Sequence, residues 1–137
     1  MNRKNARELG YWIATALAVL LFAVPGAALL IRNAHFASEM ARLGYPAYFL
    51  TILGALKILG ALVILVPGFR RLKEWAYAGL MFDVLGAVLS RLAMGDPAAM
   101  LVVPLLVGAL ALFSWALRPA ARTLPDAPIP TALEAQQ

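Results

Sequence analysis

Long apolar runs separated by short polar segments dominate the chain. Four of the runs are long enough to span a membrane, because a hydrocarbon core of about 30 Å needs about 20 helical residues. They cover residues 11–31, 47–66, 75–92 and 98–117. The first and fourth runs contain no charged residue and are apolar on every face, unlike a soluble amphipathic helix. The pattern therefore predicts an all-α fold, a four-helix transmembrane bundle, with one membrane domain over residues 1–118.

The polar segments between the runs are unequally basic. Eight Lys and Arg residues fall on the side of the predicted membrane that carries both termini, and three fall on the other side. The eight are Arg3, Lys4, Arg7, Arg70, Arg71, Lys73, Arg118 and Arg122, and the three are Arg32, Arg42 and Arg91. Because basic short loops stay in the cytoplasm, we expect both termini to be cytoplasmic. Residues 119–137 are rich in proline and end in polar residues, which predicts a disordered cytoplasmic tail.

Composition agrees with a membrane domain and excludes several other classes. Of the 137 residues, 63% are hydrophobic and 14% are charged, against about 25% charged in soluble domains. The net charge of +5 is not arranged as a basic stripe with interleaved aromatics, so we expect no nucleic-acid partner. The absence of cysteine excludes disulfides and thiolate metal ligands, and a single histidine supplies no metal site by itself.

Two charged residues lie inside the apolar runs. Lys57 is in the middle of the second run and Asp83 is in the middle of the third. Each charge at the bilayer centre costs about 2.5–3.5 kcal/mol, so opposite charges at equal depth on adjacent antiparallel helices predict a pair. The pair is either a structural link that fixes helix register or a site that binds a polar head group or moves protons. In the second interpretation, Lys57 and Asp83 are the candidate catalytic residues.

Small and polar residues accompany both charges at helical spacing. Gly79, Gly86 and Ser90 share a face with Asp83, while Gly54 and Ala61 accompany Lys57 on the second run. Small residues let membrane helices approach closely, so we expect these two faces to meet inside the bundle.

The segment 33–43 between the first two runs is predicted to be a short helix on the membrane surface. His35, Glu39 and Arg42 are spaced so that they share one face of it. One hypothesis makes this face a lid, or a general acid and base, over the mouth of the bundle, with His35 as a candidate ligand-binding residue. The simpler interpretation is a solvated face with ordinary helical ion pairs.

Several motifs in residues 43–96 resemble the DoxX-like family of small bacterial four-helix membrane proteins. They are Leu-Gly-Tyr-Pro at 43–46, Gly54, Lys57, Gly60-Ala61 and Pro67-Gly68 in and after the second run, Leu-Lys-Glu-Trp-Ala-Tyr-Ala-Gly at 72–79, then Phe82-Asp83, Gly86-Ala87, Ser90 and Gly95-Asp96. Lys-Glu-Trp-Ala-Tyr-Ala-Gly, at 73–79, is the most specific of them. The resemblance covers the second and third runs well, the first moderately, and the fourth only in hydrophobicity.

The resemblance implies a multi-pass protein of the bacterial inner membrane. It directs attention to Lys57, Glu74, Tyr77, Asp83 and Ser90 as ligand-binding residues. The family name derives from a subunit of an archaeal thiosulfate:quinone oxidoreductase, which implies a quinone as candidate cofactor and a membrane redox partner. Relatives often have histidine after the serine, whereas this chain has Arg91, so a proton-transfer role of that histidine does not carry over.

Three functions remain open at this stage. The first is a binding protein, or a subunit of a redox system, that holds a hydrophobic ligand beside Lys57 and Asp83. The second is a stand-alone isomerase or hydrolase of an apolar substrate that uses the pair as acid and base. The third is a structural partner in a larger complex. A homo-oligomer is compatible with each of them, because small-residue faces pack within one chain or between chains.

Overall fold

The fold is a bundle of four long helices with one short helix across one end. The computed structural model describes residues 2–125. The helices are α1 (Arg3–Leu30), α2 (Ala34–Arg42), α3 (Ala47–Leu65), α4 (Arg70–Ala93) and α5 (Val102–Leu117). Helices α1, α3 and α4, and the segment Ala98–Leu117 that contains α5, are long and apolar enough to cross a membrane. The predicted four-helix transmembrane bundle is confirmed.

The four long helices form a closed ring in which neighbours run antiparallel. Helix α1 packs against α3 and α5, and α4 packs against the same two helices on the opposite side. We call the end where α1 begins and α5 finishes the terminal end, and the opposite end the α2 end. The turn between α3 and α4 lies at the terminal end, so the first residues of α4 lie beside the last residues of α3.

Helices α1 and α3 approach closely at two glycines. A Cβ atom added at Gly26 would lie 2.7 Å from Cβ of Lys57, and one added at Gly54 would lie 2.8 Å from the carbonyl oxygen of Gly26. Neither distance is sterically possible, so this crossing requires glycine at both positions. It is the small-residue contact expected where membrane helices meet.

The core is small, and most large apolar side chains face outward. Its centre is formed by buried residues of all four long helices: Phe22, Ile64, Tyr77, Leu80, Val84, Val107 and Ala111. Exposed leucine side chains occur on every long helix, and exposed phenylalanine side chains occur on α4 and α5. A soluble protein does not present apolar surface all around its perimeter, whereas a protein surrounded by lipid does.

Three helices differ from the predicted runs at their ends. Helix α1 begins eight residues earlier than the apolar run, at Arg3, and α4 begins five residues earlier, at Arg70. Helix α5 begins at Val102, after a 3₁₀ turn over Ala98–Leu101. The charged residues added to α1 and α4 lie near the terminal end, where a criterion based on apolar runs starts each helix too late.

The segment between the first two runs forms the predicted surface helix. It is α2, and the side chain of Asn33 accepts a hydrogen bond of 3.1 Å from the backbone N–H of His35. This is an N-cap, which satisfies a backbone donor that the first turn leaves free.

The predicted tail starts at residue 119. Residues Ala120–Arg122 form a 3₁₀ turn after α5, and Arg122 contacts the end of α3. The remaining part of the predicted tail, residues 126–137, lies outside the residues that the structure describes.

Candidate functional site

Lys57 and Asp83 form an ion pair in the middle of the bundle. Nζ of Lys57 lies 2.5 Å from Oδ2 of Asp83, and the two side chains are 12% and 18% exposed. The ammonium also lies 4.3 Å from the centre of the Phe22 ring, a cation–π contact. The equal depth of the two residues on antiparallel helices thus brings their charges into direct contact.

The ion pair lines a groove of about 560 Å³ between α3 and α4. Its other lining residues are Phe22 of α1, Leu53, Leu56, Leu59, Gly60 and Val63 of α3, and Leu72, Trp75, Ala76, Gly79, Leu80 and Phe82 of α4. Lys57 and Asp83 are therefore the only charges that line it among the described residues. The groove is an apolar channel with one charged spot.

The groove has a direction. On α3 its lining continues past Lys57 toward the α2 end only as far as Leu53, whereas on α4 it extends from Asp83 to Leu72, toward the terminal end. At 1.5 Å per helical residue, this stretch is about 16 Å long. Trp75 and Phe82 stand at the rim, 76% and 74% exposed. The ion pair thus lies nearer the α2 end of the groove, and the longer apolar part runs toward the membrane surface at the terminal end.

Ser90 lies near the α2 end and not in this groove. Its hydroxyl donates to the carbonyl oxygen of Gly86 at 2.7 Å and is hydrogen-bonded to the Tyr45 hydroxyl at 2.6 Å. Tyr45 belongs to the connection between α2 and α3, so the bond ties that connection to α4. The structure gives Ser90 a structural contact and does not bring it to the ion pair.

Glu74 also lies apart from the ion pair, on the α5 side of α4. Its carboxylate accepts hydrogen bonds from Nε1 of Trp115 at 2.9 Å and from Nη2 of Arg118 at 2.7 Å. Glu74 and Trp115 line a second, smaller groove of about 240 Å³ between α4 and α5. The carboxylate is thus occupied in joining α4 to α5.

Tyr77 lies in the core beside Glu74 and makes a similar link. Its hydroxyl is hydrogen-bonded to Ser114 of α5 at 2.7 Å, and Ser114 is hydrogen-bonded to Thr15 of α1 at 2.6 Å. All three hydroxyl-bearing residues are buried. The hydroxyls form one chain that connects three helices through the interior, a form of interhelical bonding common in membrane bundles.

Lys73 has a role that the sequence did not reveal. It is fully buried, and its Nζ donates to the carbonyl oxygens of Val63 at 2.6 Å and Ile64 at 2.9 Å, and also to that of Val66. The last carbonyls of a helix have no partner within it, and a cation suits the negative end of the helix dipole. Lys73 therefore caps the C-terminus of α3. A signal was present, because Lys73, Tyr77, Leu80 and Val84 recur at the spacing of a core-facing stripe.

Two arginines complete the polar group at the terminal end. Arg122 donates to the carbonyl oxygen of Ile64 at 3.1 Å and to the Tyr11 hydroxyl at 3.2 Å. Arg118 is 4% exposed, and its Nη1 is buried without a hydrogen-bond partner among the described residues. We call Lys73, Glu74, Tyr77, Arg118 and Arg122 the terminal clamp, since together they hold α3 and α5 against α4.

Salt bridges of Glu39 and Arg42 join α2 to the bundle, and His35 takes no part in them. Arg42 donates to both carboxylate oxygens of Asp96 at 2.8 Å, and it also pairs with Glu39 at 3.2 Å. Arg91 lies 3.5 Å from Glu39 and 3.2 Å from Asp96. The exposed His35 ring stacks edge-on against Phe36 and makes no side-chain hydrogen bond within residues 2–125.

Asp96 does not cap the helical turn that follows it. A residue of this type before Pro97 is a good helix N-cap, but the cap position belongs to Pro97 and no side chain bonds there. The carboxylate is taken by Arg42, and this hydrogen bond lowers the pKa of Asp96 below its ordinary value. Arg42 likewise lowers the pKa of Glu39. Both groups therefore stay ionised at neutral pH.

The six predicted ligand-binding residues thus fall in four places. Lys57 and Asp83 meet at the groove, Glu74 and Tyr77 join α5 at the terminal end, Ser90 bonds Tyr45, and His35 is exposed on α2. Residues 2–125 hold no group of three His, Cys, Asp or Glu side chains that would bind a metal ion.

The fold and the ion pair define a multi-pass membrane protein with one charged spot in an apolar groove. The sequence model of the DoxX-like family matches residues 13–114, which include the ion pair and most of the terminal clamp. The chain belongs to the DoxX-like family, as its motifs predicted. No curated protein and no solved structure matches it.

Proposed function

We propose that this protein binds a lipid-soluble molecule in the groove between α3 and α4, with the polar head of that molecule at Lys57 and Asp83. The observation that carries the proposal is the ion pair on the wall of an otherwise apolar groove of about 560 Å³. Ligand pockets have volumes of about 300–1,000 Å³ and combine apolar walls with a few convergent polar groups. The groove has this composition, and it borders the lipid from which such a ligand would enter.

An architectural pair does not need a groove. If Lys57 and Asp83 only fixed helix register, we would expect further protein hydrogen bonds to satisfy their remaining donors and acceptors and to offset the cost of burial. Instead the pair is left 12% and 18% exposed beside open apolar space. Ionisable groups inside a membrane that border a cavity are functional candidates by default.

A quinone is the first ligand to test, and a membrane redox system is the setting proposed for it. A quinone head is uncharged and carries carbonyl oxygens that accept hydrogen bonds, so it suits the free N–H groups of Lys57 at this depth. The origin of the family name, in a subunit of a thiosulfate:quinone oxidoreductase, is a further reason to test a quinone first. A partner subunit of that system, or a second copy of the chain, would dock on the lipid-facing surface.

Trp75 at the groove rim offers a direct binding measurement. We would replace Trp12 and Trp115 with phenylalanine, place the protein in nanodiscs and titrate it with decylubiquinone. Saturable quenching of Trp75 fluorescence is expected, because the quinone would lie within contact of the indole. The matched variant Lys57→Met with Asp83→Leu should show only weak linear quenching. A third sample carrying Tyr77→Phe, away from the groove, should saturate like the parent.

Linear quenching in all three proteins would exclude quinone binding. Saturation that survives in the double variant would place the quinone elsewhere and contradict the role proposed for the ion pair. Loss of saturation in Tyr77→Phe alone would place the binding site in the α4–α5 groove.

We also propose that the protein lies in the bacterial inner membrane with both termini in the cytoplasm. Support comes from the basic residues, eight at the terminal end against three at the α2 end. Because the chain contains no cysteine, single cysteines at the exposed positions Ala120 and Ser38 test it cleanly. In intact cells, a membrane-impermeant maleimide should label Ser38→Cys and not Ala120→Cys. The reverse pattern would invert the topology.

A further inference from the structure

The hydrogen-bonding groups of the ion pair are only partly used. Lys57 has three N–H donors, and its one hydrogen bond within the described residues goes to Oδ2 of Asp83. The other oxygen, Oδ1 of Asp83, accepts no hydrogen bond from residues 2–125 and is not enclosed by protein. The charged spot therefore offers the groove donors from Lys57 and an acceptor from Asp83, side by side.

We infer that the ligand head is a hydroxyl, a group that accepts from Lys57 and donates to Asp83 at the same time. This rests on the proposed function and names the ligand class of the same site. A carbonyl or an ether head satisfies Lys57 alone and leaves the carboxylate oxygen without a donor. Lys57 would repel a cationic head group, and Asp83 would repel a carboxylate head group. A phenol, a long-chain alcohol or a hydroquinone satisfies both partners.

Depth and shape narrow the class further. Lys57 and Asp83 lie in the middle of the bundle, and the apolar lining runs from them toward the terminal end over about 16 Å of α4. A phospholipid keeps its charged phosphate at the membrane surface, because a charge at the midplane is costly. The head at this depth is therefore uncharged, and its tail lies along Gly79 and Trp75. The site takes an uncharged, hydroxyl-headed lipophile with its tail directed to the terminal end.

For a quinone, this geometry favours the reduced state over the oxidised state. The oxidised ring has two carbonyl oxygens and donates no hydrogen bond, whereas the hydroquinone has two hydroxyls. The expected order of affinity is hydroquinone above quinone, so the protein would hold the reduced carrier more tightly.

Three simple compounds with one tail isolate the hydroxyl. They are 4-nonylphenol, its methyl ether 4-nonylanisole, and nonylbenzene, and the purified full chain would receive all three at equal concentration. Native mass spectrometry separates the complexes by mass, so the bound ratio reports relative affinity within one sample. We expect the phenol to bind at least about tenfold more tightly than the other two, since a hydrogen bond to a charged group contributes about 1.5–3 kcal/mol. Nonylbenzene, which is smaller, excludes steric rejection of the ether as the cause.

The variant carrying Lys57→Met and Asp83→Leu supplies the control, because it removes both charges and leaves neither unpaired. It should bind the three compounds about equally and only weakly. Equal binding of all three to the parent protein, with occupancy lost when Gly60→Trp fills the groove, would overturn the hydroxyl preference and leave the groove as a binding site. Occupancy unaffected by either variant would overturn the proposed function as well. A phenol preference that persists in the double variant would place the hydroxyl elsewhere and overturn the inference.

Discussion

The chain contains two lysines inside the bundle, and their surroundings are opposite. Lys73 is 0% exposed, and its ammonium is surrounded by backbone carbonyls at the end of α3. Lys57 reaches one carboxylate oxygen and one aromatic ring, and its side chain is 12% exposed beside the groove. Lys73 uses its N–H donors for hydrogen bonds within the fold, whereas Lys57 retains N–H donors that a ligand in the groove could use.

The difference shows which property separates a structural charge from a candidate site in a membrane protein. Burial alone does not, since both lysines are removed from bulk water. What matters is whether the hydrogen-bonding groups are used up and whether open space adjoins them. By this criterion the terminal clamp is structural, apart from one nitrogen of Arg118, and the ion pair is the proposed site.

The largest expected effect comes from removing the capping lysine. Lys73→Met leaves up to three carbonyls at the end of α3 without their donor, and Arg122 continues to bond only one of them, Ile64. The free energy of unfolding should fall by about 3 kcal/mol, because an unmade buried hydrogen bond costs about 1–3 kcal/mol. The matched change, Lys57→Met with Asp83→Leu, should cost less than about 1 kcal/mol, since apolar replacement of a whole ion pair is often neutral. Unfolding in mixed micelles with increasing SDS measures both, and equal losses would remove the distinction between the two lysines.

A smaller loss is expected from neutralising the counter-ion of Arg118. Glu74→Gln keeps an oxygen for the hydrogen bonds but leaves the buried guanidinium without an opposite charge, at a cost of about 2 kcal/mol. Glu8→Gln, at an exposed position of α1, is the control and should change nothing measurable. Binding of decylubiquinone in the α3–α4 groove should persist in both variants. If Glu74→Gln abolished binding while the fold survived, the terminal clamp would belong to the site.

The hydroxyl chain through the core should contribute less again. Tyr77→Phe removes the bond to Ser114 and is expected to cost about 1 kcal/mol, the usual net value of one hydrogen bond. Tyr48→Phe, on the exposed side of α3, serves for comparison. The same SDS unfolding series resolves the two, and a Tyr77→Phe protein as stable as the Tyr48→Phe protein would show that the chain contributes nothing.

The smallest effect concerns the salt bridges that hold α2. Because Arg42 lowers the pKa of Asp96, the ionised carboxylate stabilises the fold above its ordinary pKa of 3.8, and this contribution is lost as pH falls through the lowered value. A spin label at Ser38→Cys should therefore keep constant mobility from pH 8 to pH 5 and gain mobility only in stronger acid. In the Arg42→Ala protein, the label should be mobile throughout. Mobility that rises already near pH 6 would contradict the role given to the Asp96 carboxylate.

The sequence predicted the bundle because hydropathy is a local property that each segment carries by itself. It also predicted the pair of Lys57 and Asp83, since two charges in the middle of adjacent antiparallel runs must lie at one depth. It did not predict the role of Lys73, which was grouped with Arg70 and Arg71 as a loop charge. At a helix boundary a basic residue suits either the membrane surface or the interior, and the rotation of α4 decides between them.

Distant contacts determine where the other polar residues bond. Asp96 has the right position for an N-cap, but Arg42 lies 54 residues away in the chain and competes for it through two hydrogen bonds. Glu74, Tyr77 and Ser90 were grouped with the ion pair because they share motifs on one helix. They point to different neighbours, and a family resemblance marks positions without saying which of them meet.

The geometry of the proposed site depends on α1 through Gly26. Among the described residues, α1 contributes Phe22 alone to the wall of the groove. Any side chain at Gly26 would strike Cβ of Lys57 and push α1 away from α3. Such a shift would move the lysine relative to Asp83 while leaving every residue of α3 and α4 intact. During divergence, the rim positions held by Leu72, Trp75 and Phe82 are free to change with the ligand, because they face outward. Gly26 cannot be substituted without moving α1. We therefore expect homologues that bind a different ligand to differ at the rim positions and to keep glycine at position 26.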